Sequence, residues 1–412
     1  MQEAIVIGGG VIGLTSAWWL LEAGYGVTLL ERDAVGMAAS YRNGGQLSYR
    51  YVSPLADAGV PLKALQWLFQ ENGPLRFKPE FDSRQWRWLA RFLANCNGID
   101  NARTTAKLLQ LGELSRSAMA ELESVVPLDA FSWRDAGKMV VYRSKKAFDA
   151  AVAKPDSEAS RQVLSPAECV AREPALAAAQ GLLAGGIFNE GEAVADCYAF
   201  CDVLAARLAA HPRYRGTIRA DVRRMVAEAG TITGIDSSAG MLKADHYVLA
   251  AGIDSRDLAA AVGIHLPLYP LKGYSLTAPI RAGDQAPAIS VTDFERKVLY
   301  ARIGDSLRVA AMVDMVGADT TLDPKRVANL TRQVRQTMPH AADYDKLSAW
   351  AGLRPATPDS APIIGATPLS NLWLNVGQGP LGFTFACGSA KLLAGVMRGT
   401  AAPFDLQGLI LR

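Results

Sequence analysis

The sequence is poor in cysteine and histidine and nearly balanced in charge. Its 412 residues include five cysteines and four histidines, and the formal net charge is only +3. The cysteines are scattered, and no Cys-x-x-Cys pair stands at zinc-like spacing from a histidine. We therefore expect neither a disulfide framework nor a metal site. The small charge excess predicts no nucleic-acid partner, and the cysteine usage favours a reduced, cytoplasmic setting.

Long hydrophobic runs of the membrane-spanning kind are also missing. Two stretches, residues 4–21 and 371–390, carry no charge. The first is interrupted by three glycines and has neither a basic start nor an Ala-x-Ala exit. The second contains Pro380 and several polar residues, a poor composition for a spanning helix. Both are interpreted as buried strand–turn–helix segments, with no signal peptide and no transmembrane helix.

The N-terminus contains a nucleotide-binding pattern. Residues 4–7 predict a buried strand, and a helix-compatible run extends to residue 22. Between them lies a G-x-G-x-x-G motif, with Gly8, Gly10 and Gly13. The first glycine permits a tight turn, the second lets the backbone approach a pyrophosphate, and the third allows close helix–strand packing. The helix N-terminus would attract the phosphates, so the pattern predicts an adenine dinucleotide.

A second strand over residues 27–30 ends at Glu31. A carboxylate in this position can accept hydrogen bonds from ribose hydroxyls, and its charge disfavours the 2′-phosphate of NADP. Arg32, next to it, leaves that point open. The motif by itself does not separate FAD from NAD.

The remainder of the chain holds a second unit of the same type. Residues 221–252 predict strands around tight turns that end in Ala-Ala-Gly, which would return the chain to the nucleotide sheet. A strand over 372–376 then runs into a glycine-rich loop over 377–382, followed by a helix from 383 to about 397. This helix N-terminus can face an electron-rich ring edge. The alternative is glycine-rich packing under a terminal helix.

These residues carry a resemblance to a known family. The chain resembles the FAD-dependent D-amino-acid dehydrogenases, within the flavoprotein group of D-amino-acid oxidase, glycine oxidase and sarcosine oxidase. The match runs almost end to end and covers the nucleotide motif, residues 40–48, 59–64, 270–275, 350–355, 357–359 and 377–382. It implies an α/β fold, with a Rossmann-like FAD-binding domain and a discontinuous α+β substrate domain, as in D-amino-acid oxidase.

The resemblance also implies noncovalent FAD and the residues that hold it. Those of the ADP half are Gly8, Gly10, Val11, Ile12, Gly13, Glu31 and Arg32. Those along the ribityl chain and the ring are Ser40, Asn43, Gly44, Gly45, Gln46 and Leu47. Val222, Ala251 and Gly252 are expected near the adenine, and Gly379, Pro380, Leu381 and Gly382 at the flavin pyrimidine. Some relatives attach flavin through Cys or His; for Cys387 we favour a core thiol.

Arg354 is the first candidate for substrate binding. It lies in an apolar segment after Trp350, and a guanidinium binds a carboxylate bidentately. In the family, the arginine of Gly-Leu-Arg-Pro holds the substrate carboxylate; the alternative is a buried arginine paired with Asp359 or another structural acid. With the carboxylate held, hydride transfer from Cα to the flavin gives an imino acid that hydrolyses to a 2-oxo acid and ammonia. This chemistry needs positioning more than an acid–base residue.

Tyr51 and Tyr274 are further candidates, either as hydrogen-bond partners of the carboxylate or as packing residues. Tyr300 is a weaker one. Each matches or neighbours a tyrosine of the family's substrate segments.

Three departures from the family pattern occur, one of them a pair of residues. Tyr49-Arg50 stand where Pro-Gly is usual, Gln378 where His is usual, and Pro380 where Thr is expected. FAD binding would survive these changes, but the choice of substrate is affected. Arg50 is expected either to contact a polar or acidic side chain or to be solvated. Gln378 is counted with the substrate-facing residues, and a cyclic D-imino acid such as D-proline stays open.

The domain partition follows from where the sheet-forming segments of the nucleotide domain occur. Residues 1–50, 166–264 and 346–412 are predicted to form the FAD-binding domain. Residues 51–165 and 265–345 are predicted to form the substrate-binding domain.

Residues 62–96 are rich in aromatic side chains: Trp67, Phe69, Phe77, Phe81, Trp86, Trp88 and Phe92. If 83–96 is a helix, it has arginines on one face and Trp86 and Leu93 on another, which suits either peripheral contact with the cytoplasmic side of the inner membrane or a packed surface helix. The acceptor of the electrons is a quinone or another molecule.

Three functions are therefore compared. The first is a D-amino-acid or D-imino-acid dehydrogenase. The second is a related enzyme: an oxidase of glycine, sarcosine or another secondary amine, or a cis-hydroxy-D-proline dehydrogenase. The third is a non-catalytic flavin subunit that relays electrons, which would need no carboxylate anchor such as Arg354.

Overall fold

The computed structural model describes residues 1–68, 70, 73–153 and 161–412. The helices are α1 (Val11–Glu22), α2 (Val60–Leu68), α3 (Ser83–Asn95), α4 (Gly98–Leu122), α5 (Lys145–Val152), α6 (Pro166–Arg172), α7 (Cys197–Ala209), α8 (Ser255–Ala260), α9 (Pro324–Thr337) and α10 (Gly382–Met397). The strands are β1 (Glu3–Ile7), β2 (Gly26–Glu31), β3 (Gln46–Leu47), β4 (Leu75–Phe77), β5 (Lys138–Tyr142), β6 (Arg161–Leu164), β7 (Gly185–Asn189), β8 (Ala193–Val194), β9 (Tyr214–Arg219), β10 (Val222–Glu228), β11 (Thr231–Ser237), β12 (Gly240–Leu242), β13 (His246–Leu249), β14 (Tyr269–Pro279), β15 (Ser290–Asp293), β16 (Val298–Ile303), β17 (Ser306–Met315), β18 (Ser348–Ala356), β19 (Ile363–Ala366) and β20 (Leu372–Val376).

A six-stranded sheet gathers distant parts of the chain in the order β19-β20-β13-β1-β2-β9. All its pairs are parallel except β19 with β20. Because successive side chains of a strand point to opposite faces, Ala4 and Val6 pack in one core and Ile5 and Ile7 in another. Burial on both faces explains why β1 is a continuous apolar run. The predicted return of the chain through β13 and β20 is confirmed.

Helices α1, α4 and α10 cover one face of this sheet. They supply Leu14, Leu111 and Phe385 to the same core. By length and composition the segment Gly379–Met397 is apolar enough to cross a membrane, but 61% of it is buried inside the fold. It is therefore best described as a core helix, as its sequence predicted.

A larger sheet follows the order β18-β14-β17-β16-β15-β5-β7-β6, with β4 paired to β17. Two of its strands depart from the predicted partition. β7 and β18 lie in segments that were expected to belong to the FAD-binding domain, yet β7 pairs with β5 and β18 with β14. Pairing with residues 269–277 of β14 places β18 here, and a local sequence pattern contains no information about that partner strand.

Helix α3 is confirmed, and the structure shows which of its aromatic side chains is buried. Trp88 is 5% exposed and stacks on Phe92, with ring centroids 5.2 Å apart, whereas Trp86 and Leu93 are each 48% exposed. Trp88 is buried because β14 presents Tyr269 to it, a neighbour that helical periodicity alone does not reveal. Phe69, another member of the aromatic group, lies outside the described residues.

Candidate active site

A cavity of about 2460 Å³ runs between the two large sheets. It is several times larger than an ordinary ligand pocket. All of the predicted cofactor residues line it except Gly13 and Leu47, and the five predicted substrate residues line it as well. Those five are Arg50, Tyr51, Tyr274, Arg354 and Gln378.

The glycine motif has the close contacts that its spacing predicts. Gly8 has φ of +109°, and a Cβ there would lie 2.6 Å from the carbonyl oxygen of Ala250. A Cβ on Gly13 would lie 1.7 Å from the carbonyl oxygen of Gly8, so Gly13 packs α1 against β1 and does not face the cavity. A Cβ on Gly10 would meet only Ser40 Oγ, at 3.6 Å. Gly10 therefore leaves open space at the start of α1.

Two of the helices that begin at the cavity, α1 and α10, lack a capping side chain. Gly10 precedes α1 and Leu381 precedes α10, and neither contributes a cap. Six other helices are capped by their own N-cap side chains, namely Asp82, Asn97, Ser144, Ser165, Asp196 and Asp323. The positive ends of α1 and α10 are thus directed at the cavity, where an anionic or electron-rich group can complement them.

Glu31 lies at the end of β2, beside the glycine motif. Its carboxylate accepts hydrogen bonds from Gly9 N at 2.6 Å and Asp33 N at 2.9 Å. Arg32 forms an ion pair with Asp254 at 2.9 Å. The carboxylate is held at the cavity wall, while Arg32 is drawn to an acid that follows β13 of the same sheet.

The loop after β2 is fixed by hydrogen bonds to its own backbone and to the larger sheet. Ser40 Oγ accepts from Val11 N at 3.1 Å, and Asn43 Oδ1 accepts from Gly45 N at 2.8 Å. Gln46 donates through Nε2 to Ser290 Oγ. Leu47 is fully buried in the core next to α1. Side chains alternate along β3, so Gln46 faces the cavity and the expected flavin contact of Leu47 is limited to its backbone.

On the opposite side, Val222, Ala251, Gly252 and the loop Gly379–Leu381 complete the wall. Gln378 is 3% exposed, and its Nε2 donates to Asn375 Oδ1 at 2.6 Å. Asn375 Nδ2 in turn donates to Ser16 Oγ at 3.0 Å. This chain of bonds ties the glycine loop to α1, so Gln378 orients the loop as well as lining the cavity.

Arg354 lies on β18 with its guanidinium flat against β14. An added Cβ on Gly273 would lie 2.3 Å from Nη2 and 2.4 Å from Cζ of Arg354. Nη1 donates to the carbonyl oxygen of Met312 at 3.0 Å, and among the described residues this is its one hydrogen bond. Burial lowers the pKa of Arg354 to about 10, partly offset by the charge of Asp314. The guanidinium therefore stays cationic at neutral pH, and its other N–H groups can meet a carboxylate.

Met312 has φ of +67°, an unusual conformation for a non-glycine residue. The register between β14 and β17 shifts between Lys272 and Tyr274, which is where Met312 would otherwise pair. This irregularity turns the Met312 carbonyl toward Arg354. The expected alternative, a pair between Arg354 and Asp359, is not formed, because Asp359 pairs with Arg412.

The tyrosines differ in their surroundings. The Tyr274 hydroxyl donates to Asp314 Oδ2 at 3.1 Å, and burial raises its pKa. It can reach a substrate carboxylate only by breaking that bond. Tyr51 is 39% exposed at the cavity, with Lys138 Nζ 3.9 Å from its ring centroid. Tyr300 is fully buried in the core of the larger sheet, away from the cavity.

Sequence reasoning missed two lysines that line the cavity, Lys138 and Lys297. Burial lowers the pKa of each to about 8. Lys138 begins the otherwise apolar strand β5, and a cation in such a run was a usable signal. Lys297 lies in a turn, where a lysine is ordinary and carries no signal.

Cysteine and metal chemistry play no part in the geometry that is observed. All five cysteines are free thiols, and Cys387 is fully buried in the core beside α1, where burial raises its pKa. Within the ranges that the structure describes, no group of three metal-ligating side chains is found. The cavity wall instead fits an adenine dinucleotide: open space at Gly10, two uncapped helix ends and the carboxylate of Glu31.

Comparison with known proteins agrees with this geometry. Residues 3–396 match the family described as FAD dependent oxidoreductase. The chain is 47% identical over 412 residues to D-amino acid dehydrogenase 2 of Pseudomonas aeruginosa, covering 100% of this chain and 98% of that protein. It is 43% identical over 423 residues to the protein of the same name from Ralstonia nicotianae, covering 98% of this chain and 100% of that one.

Among solved structures, glycine oxidase from Geobacillus kaustophilus superposes with a TM-score of 0.76 at 20% identity, covering 100% of this chain and 99% of that one. At this identity the likeness concerns the fold. It confirms the predicted α/β architecture.

Proposed function

Since this chain belongs to the FAD dependent oxidoreductase family, we propose that it is a D-amino-acid dehydrogenase that converts its substrate to a 2-oxo acid and ammonia. FAD is its cofactor. The proposal rests on Arg354, a cation that lines the cavity and has N–H groups available to donate to a carboxylate. The names of the two full-length relatives support the choice of D-amino acids.

When bound, FAD supplies the two-electron oxidation of the substrate's Cα–N bond. The residues that would hold it are the first turn of α1, Glu31, the loop over 40–46 and the start of α10. Gly10 permits approach of the pyrophosphate, and the two helix ends favour its charge and the ring edge.

The chain's own contribution to the reaction is positioning. Arg354 binds the carboxylate through its planar fork, and this contact fixes which bond of Cα faces the cofactor. Among the described residues that line the cavity there is no histidine. A substrate amine that enters neutral provides its own lone pair, so no side chain is required to remove a proton from carbon. A subunit that only relayed electrons would not need the Arg354 site.

The proposal is tested by an anaerobic absorbance scan of the FAD-loaded protein with matched D- and L-amino acids. We expect the D-enantiomers to bleach the flavin band and the L-enantiomers to leave it unchanged. Repeating the experiment in air separates a dehydrogenase from an oxidase of glycine or sarcosine. A flavin that no amino acid reduces would contradict the proposal.

We further propose that the electrons pass to a quinone or a similar acceptor while the protein rests on the cytoplasmic side of a membrane. Support comes from the surface around α3. Phe81 is fully exposed, Trp86 and Leu93 are each 48% exposed, and the helix also carries arginines at 84, 87 and 91. Apolar rings next to cations suit an anionic lipid surface.

Co-sedimentation with anionic phospholipid vesicles tests this contact. The double variant Phe81→Ser, Trp86→Ser should lose most vesicle binding. The control Met241→Ser changes a side chain that is 53% exposed elsewhere and should bind as the native chain does. Equal binding by all three proteins would contradict the proposal.

A further inference from the structure

The cavity continues past Arg354 into a region that the reaction described above does not use. We call it the lysine arm. It consists of the amines of Lys63, Lys138 and Lys297 and the rings of Tyr51, Tyr142 and Phe294, all of which line the cavity.

The members of the lysine arm form a continuous series of contacts in space. Lys297 Nζ lies 3.9 Å from the ring centroid of Phe294, and Lys63 Nζ lies 5.7 Å from the same ring. The ring of Phe294 is 4.9 Å from that of Tyr142. Two ammonium groups thus share one aromatic ring, and they repel each other unless an anion lies between them.

Lys138 adds a third cation. It is 4% exposed, its Nζ donates to Ser48 Oγ at 3.0 Å, and it lies 3.9 Å from the ring centroid of Tyr51. A buried ammonium with so few oxygen partners is costly.

The strand register brings Lys297 next to the carboxylate anchor. Val298 pairs with Ala311 at the end of the β16–β17 ladder, so the residues just beyond that pair are Lys297 and Met312. Met312 is the residue whose carbonyl holds Arg354. The lysine therefore begins at the end of the same ladder that carries the group that positions Arg354.

The backbone at this point is unusual on both strands. Lys297 has φ of +56° and Met312 has φ of +67°. Non-glycine residues in this region are uncommon and cluster at functional sites. Lys297 is accessible from the cavity, and the surrounding walls together with the charge of Lys63 lower its pKa to about 8.

Asp293, Glu295 and Asp57 act on Lys297 through their charges, but in the described residues none of them forms an ion pair with it. Asp293 pairs with Arg143 at 2.7 Å, Glu295 accepts from the backbone N–H groups of Arg143 and Ser144, and Asp57 accepts from Gly59 N. Glu192, which lies near Lys138, accepts from Arg50 N at 3.1 Å. In the part of the chain that the structure describes, the lysines in ion pairs are Lys107, Lys145, Lys272 and Lys391. Among the described residues, Lys63 and Lys297 therefore form no ion pair, whereas Lys138 has the charge of Glu192 beside it.

We propose that the lysine arm binds the side-chain carboxylate of the substrate, so that the enzyme prefers acidic D-amino acids such as D-glutamate. This inference rests on the proposed function. Arg354 would hold the α-carboxylate, and Lys297 with Lys63 would hold the distal one. A dicarboxylate that spans these two cationic groups would also be fixed in orientation, because each end has its own partner.

Paired substrates of equal shape provide the first test. We expect kcat/KM for D-glutamate to exceed that for D-glutamine by at least about tenfold, since the two differ in one charge. Lys297→Met should reduce this ratio by about tenfold or more. The control Lys243→Met, which changes an exposed lysine remote from the cavity, should leave the ratio as it is.

Calorimetric binding of substrate-like acids gives a readout that does not depend on turnover. Glutarate carries both carboxylates and no amine, and its half-amide carries only one carboxylate. Glutarate should bind more tightly to the FAD-loaded native enzyme, and Lys297→Met should remove most of the difference. Loss of the difference in high salt would agree with an ionic contact.

The outcomes separate the two proposals. If D-alanine reduces the flavin but D-glutamate is no better than D-glutamine, the lysine arm does not bind the side chain and D-amino-acid dehydrogenase activity stands. If the ratio is unaffected by Lys297→Met, the assignment of Lys297 is wrong. If no D-amino acid reduces the flavin, both proposals are overturned.

Discussion

At the scale of single residues, the position of Arg354 depends on two features that leave little freedom to its side chain. Gly273 offers a surface without a side chain, and the Met312 carbonyl accepts one N–H group at 3.0 Å. The nearest negative charge that affects its pKa, Asp314, already pairs with Arg326 and accepts from Tyr274. Arg354 is thus oriented without being neutralised, which is what a carboxylate anchor needs.

Replacing Arg354 by leucine should leave FAD bound but weaken the substrate. Removing one partner of an enclosed charge contact costs about 2–4 kcal/mol, so kcat/KM for D-amino acids should fall by about 30-fold to about 900-fold. Steady-state kinetics with the flavin content checked by absorbance measures this.

Arg354→Lys, which keeps the charge and loses the fork, should fall between the native enzyme and Arg354→Leu. Native kinetics in Arg354→Leu would refute the role of this residue.

Gly10 provides a second prediction at this scale. A Cβ there meets only Ser40 Oγ at 3.6 Å, so Gly10→Leu should fold, yet its side chain would occupy the space for the pyrophosphate. We expect a folded, colourless protein, measured by circular dichroism and by the ratio of flavin to protein absorbance. Gly13→Leu, in contrast, should not fold, because its Cβ would overlap the backbone of Gly8.

At the scale of elements, the contact between β14 and β18 decides where the anchor lies. The two strands pair over nine residues, with Gly273 opposite Gly352. Strand β17, on the other side of β14, contributes the irregular position at Met312. Three strands from distant parts of the chain therefore meet at one guanidinium.

The variant Gly273→Ala should displace that guanidinium. The added Cβ would lie 2.3 Å from Nη2 of Arg354, the far end of a flexible side chain, so the fold should tolerate it. We expect KM for the amino acid to rise at least about tenfold with FAD binding retained.

Gly98→Ala is a matched control for this substitution, because a Cβ at Gly98 would meet nothing within 4 Å. Unchanged KM in Gly273→Ala would show that the position of Arg354 does not depend on the absence of a side chain at residue 273.

At the scale of the whole molecule, buried titratable groups make stability depend on pH. Burial lowers the pKa of Lys138 from 10.5 to about 8. Between these values the unfolded chain binds more protons than the native one, so the free energy of unfolding rises with pH over this interval. Buried thiols and tyrosines oppose this only from about pH 9 upward, since burial raises the pKa of Cys387 above 9.0 and that of Tyr300 from 10.0 to about 12.

We therefore expect the flavin-free protein to unfold at a higher temperature near about pH 9 than near about pH 7. Scanning calorimetry at the two values measures the difference. In Lys138→Met the unfolding temperature should increase less between these pH values, whatever the absolute unfolding temperature of the variant. An unfolding temperature that is lower at about pH 9 than at about pH 7 would contradict the assignment of a lowered pKa to Lys138.

The sequence by itself determined the nucleotide-binding unit and the glycine loop before α10. Their signals are local: an apolar strand, glycines at fixed spacing and a helix within one short segment, where the turn geometry requires those residues in that order. Arg354 was found because a lone cation in an apolar segment is costly without a partner.

Only the tertiary structure decided which sheet β7 and β18 join, which face of α3 is buried, and that Lys297 lies beside the anchor. Each depends on pairing between strands or packing between elements far apart in the chain. Side-chain alternation shows that a strand has two faces, but it does not identify the strand that pairs with it in the sheet. The seat of Arg354 and the lysine arm therefore exist only once β14, β16, β17 and β18 are brought together.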